Sequence, residues 1–311
     1  MGIISSEGKG ILYCLLHAVA LTAQSNIAKV FTYSSHTSYI NFVRYLFLIF
    51  TVPLIEFDKA SSCNTTDLIL YITLGVLGIV PSCTAVFSFT LMGVGDSIAI
   101  EFGGNIILVG VIGHLILDEK ITIAYFFLLL VDCLGIILVV KPSFIFGTSE
   151  EGIKSKEIGA IVAISGSFAV SLFQVYIRKL EHRNNLHCFL FMAVQSLVGM
   201  ALTGAWTTLE SAWEIPNTWL NICIVGGYGI VNILQYIFEV KALANAEVKN
   251  VALALTLSVV LSYVLQITIF GEEVDWVSIG GAVVIILCVV LSVIWDYVLE
   301  KVDKVTTIRK M

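Results

Sequence analysis

The residues able to do chemistry are few, and they stand inside long apolar runs. Glu101 and Asn105 lie four positions apart in the stretch 91–120, so a helix there puts them on one face. A carboxylate at the bilayer centre costs about 2.5–3.5 kcal/mol on the insertion scale, which makes Glu101 a functional candidate by default. Arg44 stands in the run 37–57, and a guanidinium grips carboxylate or phosphate through paired hydrogen bonds. Tyr228, Asn232, Gln235, Tyr236 and Glu239 recur at helical spacing along 219–240. Such a face must look at a partner helix or a wet cavity. Interhelical hydrogen bonds average only about 0.6 kcal/mol each, and a stripe of five favours the cavity. Glu239, near the end of its run, is also placed to snorkel.

Asp132 is mid-run in 121–140, with no evident partner. Ser258, Ser262 and Gln266 share a face, as do Ser167, Ser171, Gln174 and Arg178; packing glue and cavity lining stay equally open for both. His17 shares a face with Gln24, and a lone histidine in a span is more often held structurally than used to carry protons. The expected substrate-binding or gating set is therefore Arg44, Glu101, Asn105, Asn232, Gln235, Tyr236 and Gln266. Asp132 and Glu239 are the candidates for proton or ion coupling. No catalytic residue and no metal ligand is expected. Glu119 and Glu272, at the ends of apolar runs, read as solvated loop residues.

Positioning these side chains is the task of membrane spans. The chain has 311 residues, 58% hydrophobic and 13% charged, whereas soluble domains carry about 45–50% apolar and about 25% charged residues. It reads as an all-α integral membrane protein. The first apolar run is long enough to span and has no small-residue cleavage site behind it, unlike a signal peptide. Ten runs reach the length of a span: 10–31, 37–57, 68–91, 96–117, 121–140, 158–178, 187–207, 219–240, 248–270 and 276–297. The seven cysteines are scattered without a C-x-x-C pair and read as apolar packing residues.

Lysine and arginine placement orients the spans. With a cytosolic N-terminus, twelve basic residues fall on the cytosolic side and four outside, with Arg44 within span two. Both termini are expected in the cytosol, in the plasma membrane or an endomembrane. Asn64-Thr65-Thr66 matches a glycosylation acceptor, but its loop then faces the cytosol and is expected to be unmodified. In this topology Arg44 and Glu101 lie about seven and five residues below the outer mouth, a depth difference of roughly 3 Å. They would pair either in one access state or permanently.

The chain says the same thing twice. Gly10 to Lys29 matches Gly159 to Arg178 in length and basic ending; His36 with Arg44 matches His187 with Gln195; Asp96 with Glu119 matches Glu247 with Glu272. Five spans per half make the second half inverted, the design that puts a substrate site near the midplane and alternates access by rocking.

The pattern resembles the drug/metabolite transporter superfamily, with two EamA-type halves. Arg44 stands where that family has a span-two arginine, and 85–119 resembles its helix 3–4 signature, ending Leu117-Asp118-Glu119. Lys141-Pro142-Ser143-Phe144-Ile145-Phe146-Gly147, Lys241-Ala242-Leu243 and 258–266 are similar to solute carrier family 35, subfamily G. The resemblance implies EamA-type five-helix repeats at 10–142 and 158–297, a linker at 143–157 and a cytosolic tail at 298–311. The family's mid-span-four proline is absent, with Asn105 and Ile106 there, and span nine also lacks one; span four need not break.

No G-x-x-x-x-G-K-[ST] or H-E-x-x-H motif is present, and the basic residues line one membrane face rather than forming a nucleic-acid patch. The expected activity is secondary-active transport of a small organic metabolite, an organic anion being the class that Arg44 and the resemblance favour. The competing expectation is a non-transporting scaffold, its polar stripes filled by helix contacts. Expected partners are the lipid bilayer and the solute, with no cofactor and no nucleic acid; a homodimer is left open.

Overall fold

The computed structural model describes residues 6–55, 64–119, 122–140, 153–183, 187–270, 276–277, 279–291 and 294. Among these, every regular element is helical: α1 Ser6–Thr32, α2 Thr37–Leu48 (running into a 3-10 turn, Ile49–Leu54), α3 Thr65–Leu91, α4 Val94–Leu117, α5 Ile123–Val140, α6 Ile153–His182, α7 Cys188–Leu209, α8 Trp219–Asn245, α9 Val248–Leu255 and α10 Leu257–Phe270. A further apolar helix, α11, covers Ile279–Leu291. Eight helices are long and apolar enough to cross a membrane, counting α2 with its 3-10 turn and α9 with α10 as single spans; Tyr125–Leu138 within α5, and α11, are shorter apolar helices. These ten segments fall on the ten runs read from the sequence.

The polarity is that of a bundle in lipid. Leu115, Phe127, Ile161 and Leu197 point outward, while His17, Gln24, Asn105, Asp132, Gln174 and Asn232 are buried, where the only partners are one another, backbone or an internal cavity. Helix ends follow local chemistry. His36 and His187 occupy matching N-cap positions before α2 and α7. The Asn64 N–H donates to Asp67 Oδ2 at 3.3 Å, starting α3. Asp118 ends α4 with φ 58°, a left-handed geometry that Asp tolerates better than most residues.

The α4 helix is unbroken, as its lack of proline implies. The span 248–270 is interrupted at Thr256, although it has no proline either. Thr256 Oγ1 donates to Leu253 O at 2.7 Å and Ser258 Oγ to Leu255 O at 2.5 Å, hydroxyls competing for the carbonyls that a helix needs.

Along their length α1 packs on α8, and α3 on α6; α4 also lies on α6, and α2 on α7. At one end of the bundle Lys29, in the last turn of α1, donates to the carbonyls of Phe89 and Met92, and Gly159 packs on Leu91 and Met92. At the opposite end Arg178 of α6 donates to Leu243 O at 2.8 Å and Ala244 O at 3.2 Å, and Gly10 packs on Asn245 and Ala246.

Candidate functional site

A cavity of about 60 Å³ lies between two helix groups. One wall is α1, α2 and α8, presenting His17, Gln24, Ser25, Arg44, Tyr228, Gln235, Tyr236 and Glu239. The other is α3, α4 and α6, presenting Ser82, Phe89, Glu101, Phe102, Phe173 and Gln174. Each wall thus carries ionisable groups: Arg44 and Glu239 on the first, Glu101 on the second.

Arg44 is held from three sides. Its Nη2 donates to Gln235 Oε1 at 3.2 Å, its guanidinium lies 5.6 Å from the Tyr236 ring centroid, and its backbone carbonyl accepts from Asn232 Nδ2 at 2.8 Å. Asn232 is fixed in turn by Gln24 Nε2, which donates to its Oδ1 at 2.9 Å. The Arg44 Nε is buried without a hydrogen-bond partner, so the cation keeps an unused donor. Gln235 joins Arg44 to the rest of its wall, its Nε2 standing 3.4 Å from His17 Nε2 and 3.5 Å from Glu239 Oε2.

On the facing wall Glu101 is 6% exposed, and no described group hydrogen-bonds its carboxylate. The Arg44–Glu101 pair drawn from depth is not formed: both line the cavity, but no ion pair joins them, unlike Arg178–Glu119, Arg183–Asp67 and Lys249–Glu247.

The other expected residues divide clearly. Gln235 and Tyr236 line the cavity, and so does Glu239, 4% exposed; the snorkelling open to Glu239 does not occur. Asn232 stands one layer back, positioning Arg44. Asn105 also lies behind the wall, clasping α4 to α6: its Nδ2 donates to Gln174 Oε1 at 3.1 Å and its Oδ1 accepts from Ser171 Oγ at 2.7 Å. Ser167 adds a donation to Glu101 O at 2.7 Å, so the α6 polar face is mostly packing glue, with Gln174 alone reaching the cavity. Asp132 is fully buried away from the cavity, accepting from Thr256 Oγ1 at 3.4 Å. The side chain of Gln266, and Glu272 altogether, lie outside the described residues. Tyr45 and Ser82, joined by a 2.7 Å hydrogen bond between α2 and α3, were not expected. No signal in the sequence singled them out.

Glu119 is not a solvated loop residue. Its side chain is 9% exposed and lies 3.7 Å from Arg178 Nε. It accepts from the Val248 N–H at the start of α9. Burial, with Glu247 nearby, pushes its carboxyl above the usual range, against the opposing pull of Arg178, Val248 and Lys249.

Residues 157–294 match the EamA-like transporter family. The likeness is to EamA-type transporters. It extends along the chain: solute carrier family 35 member G1 of Homo sapiens is 24% identical over 291 residues, covering 92% of this chain and 78% of that protein. The pseudopaline exporter CntI of Pseudomonas aeruginosa is 28% identical over 181 residues, 57% of this chain and 59% of its own length. A solved crystal structure superposes with TM-score 0.68 at 15% identity, covering 95% of this chain and 99% of that one, which makes the fold a known one. The chain is an integral, multi-pass membrane protein similar to EamA-type transporters, and these relatives are a carrier and an exporter, not enzymes.

Proposed function

We propose that this EamA-type chain is a secondary-active carrier of a small organic solute, which Arg44 binds through an acidic group. The observation that carries this is the cavity between the helix groups, with a buried, unused Arg44 donor on one wall. Relatives named as a solute carrier and an exporter support the class. A scaffold would fill its polar stripes with helix contacts; the cavity speaks for the carrier. Sites for small molecules usually measure about 300–1,000 Å³, so about 60 Å³ fits a contracted form that must open to load. Alternating access supplies the opening.

The matched contacts favour inverted five-helix repeats at 10–142 and 158–297. Lys29 on the end of α3 is answered by Arg178 on the end of α8, Gly10 by Gly159, and α1 on α8 by α6 on α3. The lysine and arginine distribution favours cytosolic termini, which makes the Arg178 end the cytosolic one. Asp132 and Glu239 are kept as coupling candidates.

Uptake by the purified chain in liposomes, from a metabolite mixture with and without a pH gradient, tests the reading. Wild type accumulates an acidic solute and Arg44→Gln does not. Equal behaviour of folded wild type, Arg44→Gln and empty liposomes would falsify the carrier.

A further inference from the structure

Arg44 and Glu101 face one cavity from opposite helix groups and do not pair. Neither is fully satisfied in that state: the Arg44 Nε is buried without a partner although its Nη2 donates to Gln235, and the Glu101 carboxyl has no hydrogen bond among the described residues. A buried polar group left short of hydrogen bonds recovers only part of its lost hydration. Glu239 differs, because Gln235 bridges it to Arg44 on their own wall. Glu101 has no such bridge: its neighbours from α6 bond its backbone carbonyl, not its carboxylate.

A ligand carrying only acidic groups would satisfy the Arg44 Nε and leave the Glu101 carboxyl without a partner. A ligand carrying only a cationic nitrogen would satisfy Glu101 and leave the Arg44 Nε without one. A ligand carrying both satisfies both at once, with charge-assisted hydrogen bonds at each end. We infer that the solute is dipolar, its carboxylate or phosphate on Arg44 and a basic nitrogen on Glu101. This rests on the carrier reading and adds to it the second half of the recognition. It also gives the solute a mechanical role. Because the two groups stand on different walls, a ligand spanning them draws α1, α2 and α8 toward α3, α4 and α6, whereas a ligand held by one wall alone does not.

The test uses the full chain in liposomes and a defined mixture of amino acids, dicarboxylates, sugar phosphates and diamines, with accumulated species identified by mass spectrometry. Wild type accumulates species that bear both an acidic group and a basic nitrogen. Glu101→Gln, nearly isosteric, lowers the ratio of those species to acids without a basic nitrogen by about tenfold or more, the loss of one charge-assisted bond. Glu101→Asp retains the preference, which separates a charge effect from damaged packing; a monodisperse elution profile checks that each variant is folded. Accumulation by wild type of acids without a basic nitrogen to the level of the dipolar species or above, or an unchanged ratio in Glu101→Gln, overturns the inference and leaves the carrier standing. No accumulation of anything overturns both.

Discussion

Glu119 follows the left-handed residue that closes α4, and its surroundings pull it both ways. Burial and Glu247 oppose its ionised form, while Arg178, Lys249 and the Val248 N–H favour it; the first two win, and its carboxyl stands above the usual range. A carboxyl that holds its proton more tightly folded than unfolded stabilises the fold fully below its unfolded value, and that contribution is lost as pH rises through the folded one. The melting temperature of wild type relative to Glu119→Gln should therefore fall as pH rises from the ordinary carboxylate range toward neutrality. Melting curves of both proteins in detergent across that range check it; a gap that widens in favour of wild type with rising pH would reverse the assigned balance. The sequence placed Glu119 at a helix end correctly. It could not show that α6 and α9, about 60 and 130 positions further on, close over that end. Arg44 was legible for the opposite reason: a charge inside an apolar run announces itself whatever packs around it.

Hydropathy marks where helices begin and end because length and apolarity are local properties. The ten runs and the observed helices agree for that reason. Interruptions depend on finer chemistry. Pro81 sits inside α3, which continues through it, whereas Thr256 and Ser258 interrupt the span 248–270 with hydroxyls. Asn105 shows the same contrast between family pattern and local bonding. It stands where the family resemblance leads to the expectation of a proline, yet here its amide ties α4 to α6 through Ser171 and Gln174. Asn105→Pro would remove the backbone N–H, set the ring against the carbonyl of Glu101 four residues back, and break the clasp. Such an interior proline costs about 3 kcal/mol or more. A large drop in melting temperature, with loss of uptake, is the expected outcome. An undiminished melting temperature would mean that α4 accommodates the family's kink and that the Asn105 clasp contributes little.

At the scale of the whole molecule the cavity walls coincide with the most extensive helix contacts, α1 with α8 and α3 with α6. Close-packed interfaces resist continuous deformation, so these pairs should travel as units and the cavity between them should open. The ends provide sites to test this. A Cβ added at Gly10 would stand 2.9 Å from that of Ala246, and one at Gly159 would stand 3.2 Å from that of Leu91; disulfides need about 3.5–4.5 Å, a shift of well under 2 Å. Gly10→Cys with Ala246→Cys, and Leu91→Cys with Gly159→Cys, would each staple one pair at one end. Both oxidised proteins should still take up solute, because each staple lies inside a moving unit. Loss of uptake on oxidation, restored by reductant, would show that α1 slides on α8 or α3 on α6, and the division of the bundle would have to be redrawn. Retention in both would leave the contacts between the groups as the ones that must break: Tyr45 with Ser82 inside the bundle, and, at its ends, Lys29 on the end of α3 and Arg178 with Glu119 on the ends of α8 and α9. The cavity then opens toward one side of the membrane or the other according to which of these lets go.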